Sequence, residues 1–194
     1  MKTLIFSILL GLSATTLLAQ HPYYPYEPGD SFEMAYSEEF AEMGGSSHTK
    51  VEFTTDTKSM GGQTYRASST YVGDGADYEL FTTMYFRIDK DGNVVGRTSE
   101  EQDEEITIPK MEDLASGYSW SSNSSEAEKD CKVLDTDATI VTPAATHSNC
   151  LVIQMQEDED VYIRMYLKRN VGVVAIAFEI GGDEMLQAYL VGNK

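Results

Sequence analysis

The sequence predicts an all-β protein, an antiparallel meander of about 10–12 strands that forms a barrel or a strongly curved sheet. Two observations lead to this fold class. Several segments alternate apolar and polar residues with period two, the pattern of a strand with one buried face. Turn signals rich in Gly, Asp and Pro separate these segments at intervals of roughly 10–14 residues. Helical periodicity is weak, and residues 109–116 are the segment that best fits a helix.

The N-terminal residues have the pattern of a secretory signal peptide. Lys2 precedes an apolar run from Leu4 to Leu18, and a run of roughly 15 residues is shorter than the ~20 that a membrane-spanning helix needs. Ala19-Gln20 is a suitable cleavage point. The sequence therefore predicts a signal peptide over residues 1–19, a single β-rich domain over residues 20–194, and a secreted or periplasmic protein. An uncleaved N-terminal anchor is the alternative.

The best-patterned strands are residues 77–89 and 160–168. The first places Tyr78, Leu80, Met84, Phe86 and Ile88 on one face, and the second places Val161, Ile163, Met165 and Leu167 on one face. Residues 172–180 are apolar nearly throughout, as expected of a strand that is covered on both sides or that closes a barrel. Weaker strand patterns cover residues 31–36, 50–53, 64–72, 105–108, 138–142 and 185–191. The acidic segment 99–105 is interpreted as a solvated connection within one domain, and a two-lobed arrangement divided at this segment is the alternative.

Four segments occur in a characteristic order along the chain. An aromatic and proline-rich opening (residues 21–36) is followed by Gly117 and Trp120, by a Thr-Pro-Ala turn close to Cys150, and by the Gly-Val strand that begins at Gly172. This order resembles a group of uncharacterised, secreted, β-rich bacterial proteins of the TapB-like kind. The resemblance covers most of the mature chain. It implies secretion and β architecture, and it supplies no catalytic residue.

The charge balance restricts the partners of the protein. The chain has 14 Lys and Arg against 32 Asp and Glu, a formal net charge of −18. Such a surface repels phosphate backbones and anionic lipids, so nucleic-acid binding is not expected. After signal cleavage, no other segment is apolar enough to span a membrane as a helix.

His147 and Cys150 raise the question of a thiol–imidazole pair or half of a metal site. Both lie in the second strand of a hairpin whose turn is the Thr-Pro-Ala segment. Positions that differ by an odd number face opposite sides of a regular strand, so neither a dyad nor a shared metal is expected unless the segment is bulged or helical. The pattern favours a buried Cys150 and an exposed His147.

Cys131 and Cys150 form a candidate disulfide. Two cysteines in an exported protein commonly pair, and a loop of about 18 residues would contribute about 3 kcal/mol. A regular hairpin, however, places Cys150 opposite Ala138, with Cys131 about 24 Å further along the strand, which is too far for a bridge. The sequence leaves both alternatives open.

Acidic turns are the candidate metal ligands. Asp89 to Asn93 lacks the spacing of an EF-hand calcium loop and is better explained as a hairpin turn. In a meander, the turns at residues 157–160 and 181–184 lie at the same end of the barrel. We name their six carboxylates the acidic rim: Glu157, Asp158, Glu159, Asp160, Asp183 and Glu184. They suit weak Ca²⁺ binding, and a plain solvated rim is the alternative.

No enzyme motif occurs in the chain: there is no Gly-x-Ser-x-Gly elbow, no phosphate-binding glycine loop and no His-Glu-x-x-His. The sequence therefore predicts a non-catalytic protein without a cofactor. It favours a binding module for a hydrophobic ligand or an envelope partner. A protein-partner or weak Ca²⁺-binding surface module is the alternative, and an enzyme of unrecognised type is a third.

The candidate ligand-binding residues are the large apolar groups expected to face inward: Trp120, Met84, Phe86, Met165 and Phe178. The same residues suit a plain packed core, since a lone tryptophan in a β protein is usually a core anchor. Tyr23, Tyr24 and Tyr26 stand among prolines near the mature N-terminus. They are expected to form an extended segment that closes an apolar barrel end, or else a partner-binding arm.

Overall fold

The computed structural model of the chain describes residues 21–44, 46–74, 77–97, 106–110, 113–123 and 128–193. The predicted signal peptide and the acidic segment 99–105 lie outside these residues. Within the described ranges, no helix has the length and apolar character needed to cross a membrane.

The described chain folds into twelve strands and one short helix. In chain order the elements are β1 (Ser31–Tyr36), α1 (Glu38–Gly44), β2 (His48–Met60), β3 (Gln63–Gly73), β4 (Tyr78–Ile88), β5 (Val94–Arg97), β6 (Ile106–Ile108), β7 (Ser119–Asn123), β8 (Glu128–Val141), β9 (Thr146–Asp158), β10 (Val161–Lys168), β11 (Gly172–Ile180) and β12 (Asp183–Asn193). Tight turns join several of them. Gly61 and Gly62 take φ values of 56° and 74° between β2 and β3, as a two-residue hairpin turn of this hand requires.

All twelve strands belong to one antiparallel sheet in the order β6-β5-β4-β3-β2-β1-β12-β11-β10-β9-β8-β7. Each strand pairs with its neighbours in sequence except that β6 does not pair with β7, and the first strand also pairs with the last. The sheet is therefore a meander that curls into a nearly closed barrel, and the predicted fold class is confirmed. The ring is interrupted only between β6 and β7, in the middle of the chain.

Side chains bridge this interruption, which we call the seam. The indole N–H of Trp120 on β7 donates a hydrogen bond to the backbone oxygen of Thr107 on β6 (2.9 Å). The backbone N–H of Thr107 donates to the hydroxyl of Ser122 (3.0 Å). Because Trp120 and Ser122 are two positions apart, they lie on one face of β7 and replace the missing backbone ladder. The seam is thus closed without direct strand pairing.

Two clusters of buried side chains fill the inside of the barrel. The first interior cluster consists of Tyr26, Phe32, Met34, Phe53, Phe86 and Ala188. The second interior cluster consists of Leu114, Val133, Leu151, Ile153 and Leu167. Val173 on β11 packs against both clusters, so together they form one continuous core.

The N-terminal arm, residues 21–30, runs along this core. Tyr23 packs against the second interior cluster, and Tyr24 and Tyr26 belong to or pack against the first. Hydrogen bonds tie the arm to distant parts of the chain, among them His21 Nε2 to Pro109 O (3.0 Å), Asn170 N to Pro22 O (2.7 Å), Val173 N to Tyr26 Oη (3.0 Å) and Gly29 N to Phe53 O (2.7 Å). The arm therefore closes the apolar interior, as one of the two sequence alternatives expected.

A third cluster lies on the opposite face of β9 from the core. It consists of Cys150, Val152, Tyr166, Val174, Ala175 and Ala177. Since Leu151 and Ile153 belong to the second interior cluster, β9 is buried on both faces. Val174, Ala175 and Ala177 are 0% exposed, so the apolar run of β11 marks a strand covered on both sides, as predicted.

The structure differs from the sequence expectations in two elements. A bulge in β4 opposes Thr82 to Thr70 and Leu80 to Tyr71, which removes Leu80 from the face of Met84 and Phe86 and leaves it 59% exposed. An α-helix lies over Glu38–Gly44, where the sequence predicted none, while residues 111 and 112 of the segment with weak helical periodicity lie outside the described residues. Ser37 accepts a hydrogen bond from the Phe40 amide (3.4 Å) at the start of the α-helix, and two glutamates occupy its first turn.

The disulfide alternative is corrected by the strand register. Cys131 and Cys150 are buried and do not form a disulfide. Cys150 lies opposite Ala138, as a regular hairpin predicts, whereas Cys131 lies opposite Met155. Five residues along β9 separate Cys150 from Met155, roughly 17 Å at the rise of a strand. A bridge needs Cα atoms within about 7 Å, so these two thiols cannot pair.

Candidate ligand-binding site

A cavity of about 350 Å³ opens at the end of the barrel where the β2–β3 hairpin and the β4–β5 turn lie. Its apolar walls come from Tyr24, Tyr26, Phe86 and Ile88. Its remaining walls come from Glu27, Thr57, Thr64, Arg66 and Arg87. The volume falls within the range of roughly 300–1,000 Å³ that is typical of small-molecule sites.

The aromatic walls are fixed by ring contacts within the core. The Tyr26 ring stacks on Phe53 with centroids 4.4 Å apart, and the Tyr24 ring meets Phe86 edge to face at 5.3 Å. Tyr24 and Tyr26 also contact each other edge to face at 5.0 Å. Such pairs hold large apolar rings in defined orientations. The arm therefore supplies a preformed aromatic wall, while β4 supplies Phe86.

A glycine in β11 makes room for the Tyr26 hydroxyl. A Cβ at Gly172 would lie 1.8 Å from Tyr26 Oη, and the φ of Gly172 is +94°. The backbone N–H of Val173 donates to this hydroxyl oxygen at 3.0 Å. Only glycine permits both the backbone conformation and the close approach of the ring, so the sequence at Gly172 sets the position of the aromatic wall.

The strand register aligns the charged part of the cavity. Arg66 on β3 lies opposite Thr57 on β2 and opposite Phe86 on β4. The register shifts between Phe53 and Thr57, because four residue steps on β2 lie opposite two residue steps on β3. Bulges of this kind bend a strand, and here the bend lies beside the cavity.

Arg66 and Glu27 are the charged side chains that face the cavity. They form an ion pair between Arg66 NH1 and Glu27 Oε2 at 3.3 Å, with the side chains 32% and 48% exposed. The Arg87 guanidinium instead lies over the ring of Tyr65 at 5.3 Å. Tyr65 is the neighbour of Arg66 on β3, so the two side chains lie on opposite faces of the strand. Arg87 therefore lines the cavity mainly through its stem.

The aromatic wall also carries the phenol hydroxyls of Tyr24 and Tyr26. Burial raises the pKa of Tyr24 above its ordinary value, and the neighbouring Tyr26 raises it further. Burial also raises the pKa of Tyr26 to about 12, although the bond from Val173 opposes the shift. Both groups are thus protonated at neutral pH. None of the described residues forms a hydrogen bond with the Tyr24 hydroxyl.

The predicted ligand residues do not come together in one site. Phe86 lines the cavity, and Met84, two residues earlier on β4, is half-buried outside it. Trp120 and Met165 pack against the second interior cluster. Phe178 stacks on Phe40 of α1 with centroids 5.5 Å apart. Only one of the five residues therefore contributes to this cavity.

Two further cavities are more polar. One of about 420 Å³ has walls from β7–β10, among them Ser121, Asp130, Lys132 and Gln154. Trp120 contributes to its wall, while its indole N–H is engaged at the seam. The other, of about 350 Å³, lies beside Glu33 and the termini of β1 and β12. Neither has the apolar walls that a hydrophobic ligand requires.

The two turns of the acidic rim lie side by side, since the Gly181 amide donates to the Asp160 carbonyl at 3.3 Å. Glu184 is engaged on the sheet by Arg164 and by the Tyr166 hydroxyl (2.7 Å). Among the residues that the structure describes, no three His, Cys, Asp or Glu side chains form a group that could hold a metal ion. Ca²⁺ binding at the rim stays a hypothesis without an assembled ligand set.

The segment from His147 to Cys150 is bulged, so the alternation argument does not hold there. Ile140 lies opposite His147 and Ala138 lies opposite Cys150, with three steps on β9 against two on β8. Asn149 absorbs the extra residue with a φ of 57°. His147 is half-buried, not exposed as predicted.

The thiol and the imidazole nevertheless do not form a hydrogen-bonded pair in this structure. The Cys150 thiol donates to the His147 backbone oxygen (3.6 Å). Burial raises the pKa of Cys150 in spite of the nearby Lys168, so the thiol stays protonated. A reactive cysteine requires the opposite shift.

Sequence reasoning missed Arg66, Glu27 and Ile88 as members of a site. Arg66 stands in a weakly alternating strand, where a single polar residue gives no indication of the face on which it lies. The aromatic and proline-rich arm was the one usable signal, because it was expected to close an apolar barrel end.

No protein-family model and no curated protein matches the sequence. Among solved structures, the chain is similar to a protein of Bacteroides fragilis NCTC 9343 that is inferred to be exported and is described as having a YmcC-like fold, determined at 2.22 Å. The TM-score is 0.51 and the identity 13%, over 89% of this chain and 98% of that chain. At this identity the likeness shows the fold alone, so this chain and that protein share an overall fold.

Proposed function

We propose that this chain is an exported, non-catalytic β-barrel protein that binds a small hydrophobic ligand in the cavity formed by the N-terminal arm, β3 and β4. The observation that carries the proposal is the cavity of about 350 Å³ with aromatic and aliphatic walls. A plain packed core would leave no such space. Export is supported by the signal-peptide pattern and by the description of the structural neighbour, and the TapB-like resemblance fits the same localisation.

The site is suited to binding and not to chemistry. Its walls are rings and aliphatic groups, and its charged groups are engaged in an Arg66–Glu27 ion pair. Among the described residues that line the cavity, no nucleophile stands beside a general base, which is the arrangement that covalent catalysis needs. We therefore assign the cavity to ligand binding.

The test uses the purified mature chain and N-phenyl-1-naphthylamine, a neutral dye whose fluorescence rises in apolar surroundings. Thr64 is exposed and lines the cavity, so Thr64→Trp fills the space without removing a core side chain. We expect saturable dye binding by the native chain and a loss of about tenfold or more in affinity for Thr64→Trp.

Thr139→Trp is the matched control, because Thr139 is exposed on β8 and does not line the cavity. It should bind the dye as the native chain does. Failure of the native chain to bind the dye, or equal binding by Thr64→Trp, would overturn the proposal. Native mass spectrometry of the purified protein adds an independent readout through bound adducts.

A second candidate function, a protein-partner module, is favoured by one exposed stretch of β4. Leu80 and Phe81 are 59% and 71% exposed, and among the described residues β4 pairs with β5 from Tyr85 to Ile88. An unpaired strand edge with apolar side chains can accept an added strand.

Self-association measured by analytical ultracentrifugation tests this alternative with a second copy of the chain as the partner. Phe81→Lys should abolish association, whereas Val141→Lys, at a site that is 72% exposed on β8, should not. A native chain that stays monomeric at all concentrations would count against this candidate.

A further inference from the structure

We infer that the ligand of this cavity is an amphipathic anion, an apolar chain or ring that carries a single carboxylate bound by Arg66 and by the Tyr24 hydroxyl. This inference rests on the proposed function, since it names the chemical class of the ligand at the same site. The walls account for the apolar part of such a molecule. The polar groups that face the cavity account for its head.

The Tyr24 hydroxyl is a donor without an acceptor. It belongs to a residue that lines the cavity, and none of the described residues forms a hydrogen bond with it. An oxygen atom of a ligand in the cavity can accept this hydrogen bond. Because burial raises the pKa of Tyr24, the group remains a neutral donor that requires an oxygen acceptor, which a pure hydrocarbon does not offer.

The Tyr26 hydroxyl lies against β11, beside Gly172 and Val173. Its oxygen accepts the Val173 N–H at 3.0 Å, which leaves its own proton free to be donated. Tyr24 and Tyr26 lie side by side, with ring centroids 5.0 Å apart. Tyr26 thus fixes the neighbouring Tyr24 ring, and the Tyr24 hydroxyl is the phenol donor that we assign to an oxygen of a ligand carboxylate.

Arg66 supplies the positive charge. Its one ion pair, to Glu27, is a single contact of 3.3 Å between two partly exposed side chains, and an exposed pair of this kind contributes little. A guanidinium has five donors and binds carboxylates through two parallel hydrogen bonds. A ligand carboxylate can thus take the place of the Glu27 carboxylate, which lies on the arm and is 48% exposed.

Other head groups fit less well. A cation would be repelled by Arg66, and a neutral alcohol would satisfy Tyr24 but leave the charge of Arg66 unused. A phosphate dianion would bring two negative charges to a site with one facing guanidinium beside Glu27. A monocarboxylate matches both the charge and the number of donors.

Competition against bound N-phenyl-1-naphthylamine tests the inference with three eight-carbon probes: octanoate, octanol and octylammonium. On the native chain we expect octanoate to displace the dye at a concentration about tenfold below that of octanol, in line with the strength of charge-assisted hydrogen bonds. Octylammonium should be the weakest competitor.

Two variants assign the effect to residues. Arg66→Gln should bring octanoate to within about threefold of octanol, and the effect is measured as the ratio of the two affinities, so that a general change in the cavity wall affects both probes alike. Tyr24→Phe should weaken octanoate by a smaller factor, about three- to tenfold. Arg169→Gln, at an exposed turn outside the cavity, makes the same change in net charge and should leave the octanoate preference intact.

The outcomes distinguish a failure of the proposed function from a failure of the inferred ligand class. Absence of dye binding to the native chain overturns the proposed function. Dye binding with equal competition by octanoate and octanol leaves the proposed function standing and overturns this inference. An octanoate preference that persists in Arg66→Gln overturns the assignment of the head group to Arg66. Circular dichroism of each variant verifies that the barrel is folded.

Discussion

Substitution of Gly172 by alanine should displace the N-terminal arm from the barrel interior. The new Cβ would lie 1.8 Å from Tyr26 Oη and 2.3 Å from its Cζ, at a φ of +94°. The backbone strain of an L-residue at positive φ costs about 1–2 kcal/mol. Movement of the ring would lose the Val173 hydrogen bond, at about 0.5–1.5 kcal/mol, and disturb close packing, at about 1–3 kcal/mol.

Gly182→Ala isolates the part of this cost that belongs to the arm. Gly182 has the same φ of +94°, but nothing lies within 4 Å of its Cβ position, so it carries the backbone strain alone. Gly172→Ala should therefore be less stable than Gly182→Ala by about 2–4 kcal/mol in urea unfolding, or about 6–12 °C in melting temperature. Equal costs for the two variants would refute the placement of the Tyr26 hydroxyl against Gly172.

Four further predictions concern the seam, the arm, the cysteines and the rim. Trp120→Phe should lower the free energy of unfolding by about 1–3 kcal/mol, because the Thr107 carbonyl at the seam loses the indole donor. Tyr118→Phe is the control, and equal effects of the two variants in urea unfolding would contradict this role of Trp120. Burial lowers the pKa of His21, although the hydrogen bond from His21 to a backbone carbonyl opposes the shift. The contribution of His21 to stability is therefore present above about pH 6.5 and is lost as the pH falls below that value. His21→Gln should flatten the dependence of the urea midpoint on pH in this range. Cys131 and Cys150 should react with a thiol reagent only after unfolding, and a reductant should not shift the melting temperature. Millimolar Ca²⁺ should leave the melting temperature unchanged, whereas a stabilising shift would restore the metal site at the acidic rim.

Local patterns were sufficient to predict most of the sheet. Period-two alternation identifies β10, and a continuous apolar run identifies β11. Burial on one face requires apolar residues at every second position, and burial on both faces requires them at every position. The Gly61-Gly62 turn marks the β2–β3 hairpin, since two consecutive positive φ values favour glycine. These features depend on neighbours in the chain, which is why they can be read without coordinates.

Bulges defeated the same reasoning. Leu80 and His147 were each assigned to a face by counting positions, and in both strands one extra residue shifts the count. The position of a bulge depends on how far the barrel must bend at that point, which is a property of the whole sheet. Helix α1 is a different case, since its acidic first turn after Ser37 was a signal present in the sequence.

The cavity could not be predicted without the register of the strands. Arg66 and Phe86 are 20 positions apart in the chain and meet because β3 and β4 pair with these two residues opposite each other. Tyr24 and Tyr26 reach them only because the arm runs inside the barrel. Alternation predicts that Phe86 faces inward, but it assigns no partner to it, and a cavity is defined by partners from several elements.

The strand order places the weakest closure of the barrel far from the chain termini. β1 and β12 are joined by a backbone ladder, whereas β6 and β7 are held by the side chains of Trp120 and Ser122. The arm is attached close to this seam, because His21 bonds to Pro109 directly after β6. The same arm carries Tyr24 and Tyr26 to the cavity. A ligand that holds the arm in place therefore also supports the seam, and this physical connection makes barrel stability a sensitive readout of occupancy.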